Sequence, residues 1–188
     1  MPADCDSSSG SLQQTASEVD EPPSTSGWLM IDVVPDAGDW SDFEPVQQLV
    51  ASAAAALADA PQFAGHGISE ACVALSDDAN VRSLNASYRG KDQPTNVLSF
   101  PAGSGPRDGV IPLGDIVLAV ETIAREAQEQ GISPAQHLQH LVVHGLLHLL
   151  GYDHETNEEA EQMESIEIAV LSSLGIPNPY TEPPETRV

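Results

Sequence analysis

Three histidines stand close together in the segment HGLLHLLGYDH, which runs from His144 to His154. Residues four apart lie on the same face of an α-helix, so His144 and His148 can bind one ion from one helix face. Gly151 can adopt the left-handed conformation that ends a helix, and the resulting turn can bring His154 back to the same point. Three neutral imidazoles with a free fourth position are the ligand set of a catalytic zinc. We therefore predict one zinc ion per chain, bound by these three histidines at a helix C-terminus.

Two further histidines, His137 and His140, precede this motif in the same predicted helix. At about 100° per residue, they lie on roughly the same face as the first two predicted ligands. A histidine in an apolar helix is more often a core residue with a hydrogen-bond partner than a metal ligand. Because three protein ligands suffice for a catalytic zinc, we leave both residues outside the predicted ligand set.

The spacing of the histidines first suggests a metalloprotease of the zincin class, whose ligand motif is HExxHxxGxxH. The chain matches the three histidines and the glycine of that motif. However, Gly145 stands where the zincins have the glutamate that takes a proton from the attacking water. A peptidase is therefore the less favoured interpretation on grounds of mechanism.

The charge of the chain limits the partners that it can bind. The 188 residues carry a formal net charge of −23, with 29 acidic side chains against six Lys and Arg. This balance argues against general nucleic-acid binding, and against DNA as a partner, because phosphate contacts need basic residues. Three of the six basic residues lie close together in sequence, namely Arg82, Arg89 and Lys91. An anionic substrate must therefore bind at this local basic site.

The two ends of the chain differ in composition from the middle. Residues 1–26 are rich in Ser, Thr, Pro and acidic side chains and offer almost nothing apolar to bury, so we predict a disordered acidic extension. We expect it to solubilise the chain, with competition against the substrate at Arg89 as the alternative. Residues 27–176 are long enough for one domain with its own core, and the proline-rich residues 177–188 are predicted to be loose.

Cysteine usage and hydropathy indicate the compartment. Cys5 and Cys72 are too few for a disulfide framework, which fits a reducing environment. The N-terminus lacks the basic and apolar regions of a secretory signal, and no segment approaches the roughly 18 apolar residues of a membrane helix. We therefore predict a cytoplasmic protein without a membrane partner.

Strand and helix patterns alternate along the middle of the chain. β-Branched and aromatic runs predict strands at residues 28–34, 68–76, 97–100 and 110–120. Ser41 and Glu44 form a predicted capping box before the first helix. Helices are predicted at residues 45–60, about 78–88, 121–130, 134–150 and 158–174. The last helix is predicted to be acidic on its outer face and apolar at Met163, Ile166, Ile168, Val170 and Leu171.

Two polar features accompany the predicted strands. The segment YRGKDQPTNVLSFP places Arg89 and Lys91 in a turn before an apolar strand. Because basic residues are scarce in this chain, we interpret the turn as functional, with an ordinary solvated turn as the alternative. Asp115 lies within an apolar strand, where a buried carboxylate needs a partner. It can orient a metal-bound imidazole; capping a neighbouring backbone group or lying at a sheet edge is the alternative.

Three long segments, in this order, closely resemble the YbeY family of bacterial endoribonucleases: LNASYRGKDQPTNVLSFP, LGDIVLAVETIAREAQEQG and HLVVHGLLHLLGYDH. The resemblance covers about residues 80–180 and is silent on the long acidic extension. It implies an α+β fold, a single domain with a small mixed β-sheet packed with about five helices. It also implies zinc bound by His144, His148 and His154.

The resemblance further implies an activity. Members of the family are single-strand-specific, metal-dependent endoribonucleases that mature ribosomal RNA, especially the 3′ end of the small-subunit RNA, and act in ribosome quality control. Single-stranded RNA, the small-subunit RNA precursor, and the ribosome or ribosomal proteins are therefore the expected partners. Arg89 occupies the family's functionally important arginine position in YRGKD.

These observations combine into one hypothesis for the chemistry. The metal polarises a phosphodiester oxygen or lowers the pKa of a bound water to about 7, while Arg89 stabilises the negative charge on the phosphorus oxygens. Lys91 steers the RNA backbone, and either water or the ribose 2′-OH attacks. Without a glutamate beside the metal, either a metal-bound hydroxide attacks or Asp153 or Asp115 takes the proton. The alternative is an RNA-binding ribosome assembly factor whose zinc is mainly structural.

Overall fold

The computed structural model describes residues 24–103 and 105–181. Most of the predicted disordered extension lies outside the described residues, but Ser24–Ser26 form a short strand, β1. β1 pairs antiparallel with β2, which spans Leu29–Pro35. The folded part of the chain therefore begins before residue 27, where the composition predicts that the domain starts. At the other end, residues 182–188 of the predicted loose tail also lie outside the described residues.

The sheet has five strands in the order β1-β2-β3-β5-β4. β3 (Ser69–Ser76) and β5 (Ile111–Ala119) lie at its centre, and β4 (Val97–Pro101) forms one edge. β2, β3 and β5 run parallel to one another, whereas β1 and β4 are antiparallel to their neighbours. Parallel strands need crossover connections, and helices supply them here. The sheet is therefore mixed, as the resemblance implies.

In the described part of the chain, five α-helices pack with this sheet, so the α+β prediction is confirmed. Their bounds are α1 Val46–Ala58, α2 Asp78–Arg89, α3 Val120–Gln130, α4 Pro134–Leu149 and α5 Asn157–Ser173. The fourth helix, α4, contacts α1, α3 and α5 as well as β4 and β5, and most of its residues are buried. α2 packs with β4 and β5 through a separate small apolar cluster that includes Val81, Leu98 and Val117.

The capping box predicted at Ser41 and Glu44 is wrong. Ser41–Phe43 form a short 3-10 turn, and α1 begins only at Val46 without a side-chain cap. Phe43 is buried in the core, and this anchor fixes the turn before the helix can start. The capping box of this chain instead stands at the start of α5, where Thr156 and Glu159 each bond the other's backbone N–H.

β5 contains a bulge at its start, next to the edge strand. Glu70 pairs with Pro112 whereas Ala71 pairs with Gly114, so one residue of β5 is left over. Gly114 has a φ of 130°, and a Cβ at this position would lie 2.1 Å from the carbonyl oxygen of Phe100. Only glycine therefore permits β4 to lie so close to β5 here.

Among the described residues, no helix combines the length and the apolar character that crossing a lipid bilayer requires.

Candidate metal centre

The C-terminal end of α4 carries the first two predicted ligands. Its apolar side chains, such as Leu138, Val142 and Leu146, are fully buried and fix the helix against the core. This leaves the half-buried imidazoles of His144 and His148 one turn apart on one face of the helix. Two of the three predicted ligands are thus held by packing that does not involve them.

The chain turns back immediately after this helix. Gly151 has a φ of 90°, and the backbone N–H of Tyr152 donates to the carbonyl oxygen of Leu147 at 3.0 Å. This is the helix ending that the sequence predicts, and it brings the exposed His154 back to the helix. One ligand atom from each of His144, His148 and His154 lies within 4.8 Å of the other two. The structure therefore brings all three predicted ligands together in a group that can hold a metal ion.

The hydrogen bonds of the two helix histidines fit them to bind a cation. His144 Nδ1 donates to Glu167 Oε1 at 2.8 Å, and His148 Nδ1 donates to the carbonyl oxygen of Tyr152 at 3.0 Å. With both Nδ1 atoms protonated, the two Nε2 atoms carry lone pairs and face each other at 3.1 Å. This separation is less than twice the zinc–nitrogen distance of about 2.0–2.1 Å, so one ion can accept both lone pairs.

The electrostatics of His148 favour the form that binds metal. Burial, followed by the neighbouring His144 and His154, lowers the pKa of His148. Metal binding requires the neutral imidazole, so a lowered pKa keeps the ligand available at neutral pH.

Glu167 is a component of this centre that was not predicted from the sequence. Its carboxylate is completely buried and bonds His144 through Oε1. Tyr180 donates its hydroxyl proton to Oε2, and His140 Nε2 lies 3.6 Å from the same oxygen. Burial raises the pKa of the Glu167 carboxyl, but its contacts with His140, His144 and Tyr180 outweigh burial and lower the pKa to about 2. Glu167 is therefore an anion that fixes the orientation of one ligand ring.

The two upstream histidines are not brought into the ligand group. His137 is buried and its Nε2 lies 2.8 Å from Glu126 Oε2, an oxygen that also accepts from Asn96. His140 contacts Glu167 and the ring of Tyr180 instead. Within residues 24–103 and 105–181, the side chains that can hold an ion are those of the three predicted histidines.

A cleft of about 440 Å³ opens beside the histidines. His148 and His154 line one side of it, and Arg89 lines it from the end of α2. Ser99 and Pro101 of the edge strand β4 complete the wall. The structure therefore places Arg89, which precedes the histidine motif by more than 50 residues, in one cleft with two of the predicted ligands.

The turn after α2 is tied down from two sides. Asn85 Nδ2 donates to the carbonyl oxygen of Gln93 at 2.7 Å, and Arg82 forms a two-point ion pair with Asp92. In the part of the chain that the structure describes, no carboxylate lies in ion-pair range of Arg89. Arg82 therefore has a structural partner, whereas Arg89 presents its charge to the cleft. Lys91 follows in the same turn but does not line the cleft.

The two carboxylates predicted near the metal lie in different places. Asp153 lines the cleft and accepts the backbone N–H of His154 at 2.8 Å. Successive side chains of β5 point to opposite faces of the sheet. Ile116 packs against α4, so its neighbour Asp115 points away from α4 and lies opposite Cys72 on β3. The structure therefore brings Asp153 into the site but does not bring Asp115 to the histidines. Glu155, a residue without a predicted role, also lines the cleft.

Gly145, where the zincin motif has glutamate, has a packing role. A Cβ at this position would lie 2.9 Å from Cδ1 of Ile116 and 3.2 Å from both of its Cγ atoms. The Ser99 hydroxyl donates to the Gly145 carbonyl oxygen at 3.4 Å. The absence of a side chain thus allows α4 to approach the sheet, and this approach places the histidines beside the edge strand.

Gly145→Ala is expected to lower the free energy of unfolding. Overpacking in a core costs about 1–3 kcal/mol, and the helix preference of alanine over glycine returns up to about 1 kcal/mol. We expect a net loss of about 1–2 kcal/mol in urea denaturation followed by circular dichroism. Adding Ile116→Val removes the nearest atom and should recover part of the loss. Unchanged stability of Gly145→Ala would show that the helix is not packed this tightly.

The fold and this site define a class: an α+β protein with three clustered histidines beside a cleft that contains an arginine. A family model described as "Endoribonuclease YbeY" matches residues 39–175. An endoribonuclease YbeY of Azorhizobium caulinodans is 48% identical over 160 residues, which are 84% of this chain and 99% of the relative. One of Rhodopseudomonas palustris is 50% identical over 152 residues, 79% of this chain and 80% of the relative.

The chain therefore belongs to the YbeY family, as its three sequence motifs indicate. A solution structure of TM1509 from Thermotoga maritima is also similar, with a TM-score of 0.46 and 24% identity, over 84% of this chain and 100% of that one.

Proposed function

We propose that this chain is a zinc-dependent endoribonuclease that cleaves single-stranded RNA during maturation of ribosomal RNA, with the 3′ end of the small-subunit RNA as its main substrate. The observation that supports this best is the shared cleft of Arg89, His148 and His154. A metal site beside an arginine whose charge faces the cleft suits a phosphodiester, whose transition state is doubly charged. The relatives that are about half identical to the chain carry the name endoribonuclease.

The residues of the chain divide the work of this reaction. His144, His148 and His154 hold the zinc ion, which supplies Lewis-acid polarisation when it is bound. Arg89 binds the phosphodiester and stabilises the charge that grows on its non-bridging oxygens. Asp153, which lines the cleft, takes a proton from the attacking group in this proposal, either water or the ribose 2′-OH. Lys91 steers the RNA backbone from the adjacent turn.

A catalytic role for the zinc is favoured over a mainly structural one. The core around α4 is built from apolar residues of the sheet and of the neighbouring helices, and the three histidines contribute little to it. The candidate group has three histidines, of which His154 is exposed, and three protein ligands leave a fourth position open, as in catalytic zinc sites. In the alternative, an RNA-binding assembly factor, loss of zinc would unfold the domain.

The family and the composition support a proposal for the biological setting. We propose that the protein acts in the cytoplasm on the ribosome, with ribosomal proteins as partners, and takes part in ribosome quality control. The domain that does this comprises residues 27–176 together with β1, and the acidic residues 1–23 keep it soluble.

The experiment that tests the proposal is cleavage of a single-stranded RNA from the small-subunit 3′ end by the purified zinc-loaded protein. The same sequence annealed to its complement serves as the duplex control. We expect cleavage of the single strand and little cleavage of the duplex. Equal cleavage of both would contradict single-strand specificity, and no cleavage of either would contradict the enzymatic proposal.

Arg89→Ala is expected to lower kcat on the single-stranded RNA about 100-fold, because one removed donor at a developing oxyanion costs this order of rate. Arg125→Ala is the matched control, since it removes the same charge from a residue that bonds Thr122 and pairs with Asp78 outside the cleft. Single-turnover cleavage rates separate the two variants. If Arg89→Ala cleaves as fast as Arg125→Ala, Arg89 has no role in charge stabilisation.

A further inference from the structure

The segment that follows α5 returns to the metal centre. The backbone N–H of Ile176 donates to the carbonyl oxygen of Leu171 at 2.9 Å, and the Ile176 side chain is buried. Asn178 then accepts the backbone N–H of Tyr180 through Oδ1 at 2.8 Å. These contacts place the Tyr180 ring edge-on to His140, with ring centres 6.0 Å apart, and its hydroxyl on Glu167. A part of the chain predicted to be loose is thus held against Glu167, the hydrogen-bond partner of His144.

Both oxygens of the buried Glu167 carboxylate accept a hydrogen bond, one from an imidazole N–H and the other from a phenol hydroxyl. Oε1 accepts the Nδ1–H of His144 at 2.8 Å, whereas Oε2 accepts the hydroxyl of Tyr180. The other polar atom near Oε2, His140 Nε2, lies at 3.6 Å, beyond hydrogen-bonding distance. The terminal torsion of a glutamate is soft. Among the described residues, the Tyr180 hydroxyl is therefore the group that hydrogen-bonds Oε2 and limits the rotation of this carboxylate, with His140 as a longer contact.

We propose that Tyr180 is a positioning residue of the metal centre: by holding Glu167 Oε2, it keeps Oε1 on the Nδ1–H of His144 and thereby aims His144 Nε2 at the ion. The inference rests on the proposed function, since it assumes that the three histidines bind zinc. Partners that orient a ligand histidine contribute to metal affinity although they do not touch the metal. Tyr180 does so from outside residues 39–175, where the family model matches.

The test is the zinc affinity of Tyr180→Phe, measured by competition with a chromophoric chelator. The variant keeps the ring and its contact with His140 but lacks the hydroxyl. We expect zinc to bind about 10-fold more weakly, at the lower end of the effect of such partners. Tyr88→Phe is the matched control, because it removes a hydroxyl from an exposed ring that contacts Phe100. Equal affinity of the two variants would overturn the proposal.

A double-mutant cycle tests the route through the carboxylate. Glu167→Gln should also weaken zinc binding, and Tyr180→Phe should then have little further effect, because its partner oxygen has been replaced. Glu161→Gln, an exposed position of the same helix, should leave the affinity unchanged. If Tyr180→Phe costs the same factor with Glu167 and with Gln at position 167, Tyr180 does not act through this residue and the proposal fails.

Two further outcomes separate this inference from the proposed function. If Tyr180→Phe lowers the unfolding midpoint of the zinc-free protein but not the affinity for zinc, the hydroxyl stabilises only the fold and the positioning role is overturned. If the parent protein itself binds no zinc, the proposed function has failed at its metal site, and the positioning role falls with it. If the parent protein binds one equivalent of zinc, and Tyr180→Phe but not the control Tyr88→Phe binds zinc more weakly, the result supports both the metal site and the positioning role.

Discussion

His148→Ala is expected to abolish cleavage of single-stranded RNA while the fold remains in place. His148 is the central one of the three predicted ligands, since its Nε2 lies 3.1 Å from that of His144 and its ring also borders the cleft. Lewis-acid stabilisation contributes several kcal/mol, and about 4 kcal/mol corresponds to a rate reduction of about a thousandfold. The measurement combines single-turnover cleavage, the zinc content of the purified variant, and its far-ultraviolet circular dichroism.

Two controls make this result decisive. His66→Ala removes an imidazole that stacks on Trp28 outside the candidate site, so it should retain zinc and cleavage. Removal of zinc from the parent by a chelator should reproduce the loss of activity, with the spectrum largely unchanged, and added zinc should restore cleavage. A parent that unfolds when it loses zinc would instead support the assembly-factor alternative with a structural metal.

Gly114→Ala is expected to destabilise the fold considerably more than Gly145→Ala does. Its Cβ would lie 2.1 Å from the Phe100 carbonyl oxygen and 2.8 Å from the backbone nitrogen of Ala102, which donates to Leu113. These are backbone atoms, so no rotamer change relieves the contact, and the φ of 130° is unfavourable for alanine. We expect the free energy of unfolding to fall by more than about 4 kcal/mol in urea denaturation.

Gly103→Ala provides the comparison for this position. Gly103 lies in the loop that follows the same edge strand, and a Cβ there would meet no atom within 4 Å. Its stability should stay within about 0.5 kcal/mol of the parent, as for most surface substitutions. If the Gly114→Ala variant unfolds at the same urea concentration as Gly103→Ala, then β4 and β5 separate easily, contrary to the close approach of the two strands at Gly114.

The apolar pattern of α5 predicts which face of this helix is buried, but it does not predict the buried acidic residue on that face. The apolar residues Met163, Ile166, Val170 and Leu171 identify the inner face of the helix and are buried, whereas Ile168, which was predicted with them, is only half-buried. Glu167 falls on that same face, one turn from Met163 and from Leu171, so its spacing alone placed it inward. The sequence prediction placed the acidic residues of this helix on its outer face as a group and did not single out Glu167. A charged residue within an apolar stripe was the available signal for a buried partner of a ligand.

The cleft could not be predicted in the same way. The three histidines lie within one helix and the turn that follows it, where local geometry decides their positions, so their clustering could be predicted from the sequence. Ser99 and Pro101 join them because β4 lies at the sheet edge next to β5, and Arg89 joins them because α2 packs with β4 and β5. Strand order and helix packing are properties of the whole fold. Asp115 illustrates the same limit, since the face to which it points depends on register rather than on its neighbours in sequence.

The long separation in sequence between Arg89 and the histidines has a consequence for folding. Contacts between near neighbours in a chain form at little entropic cost, whereas contacts across many residues require the intervening loop to close. His144 and His148 belong to one helix, but Arg89 precedes His148 by 59 positions and reaches it only once β4 has paired with β5. A partly folded molecule in which α4, α5 and the segment after α5 are packed together can therefore bring the three histidines together while it lacks the cleft. Zinc content would then report on this C-terminal part of the chain, and RNA cleavage on the completed fold.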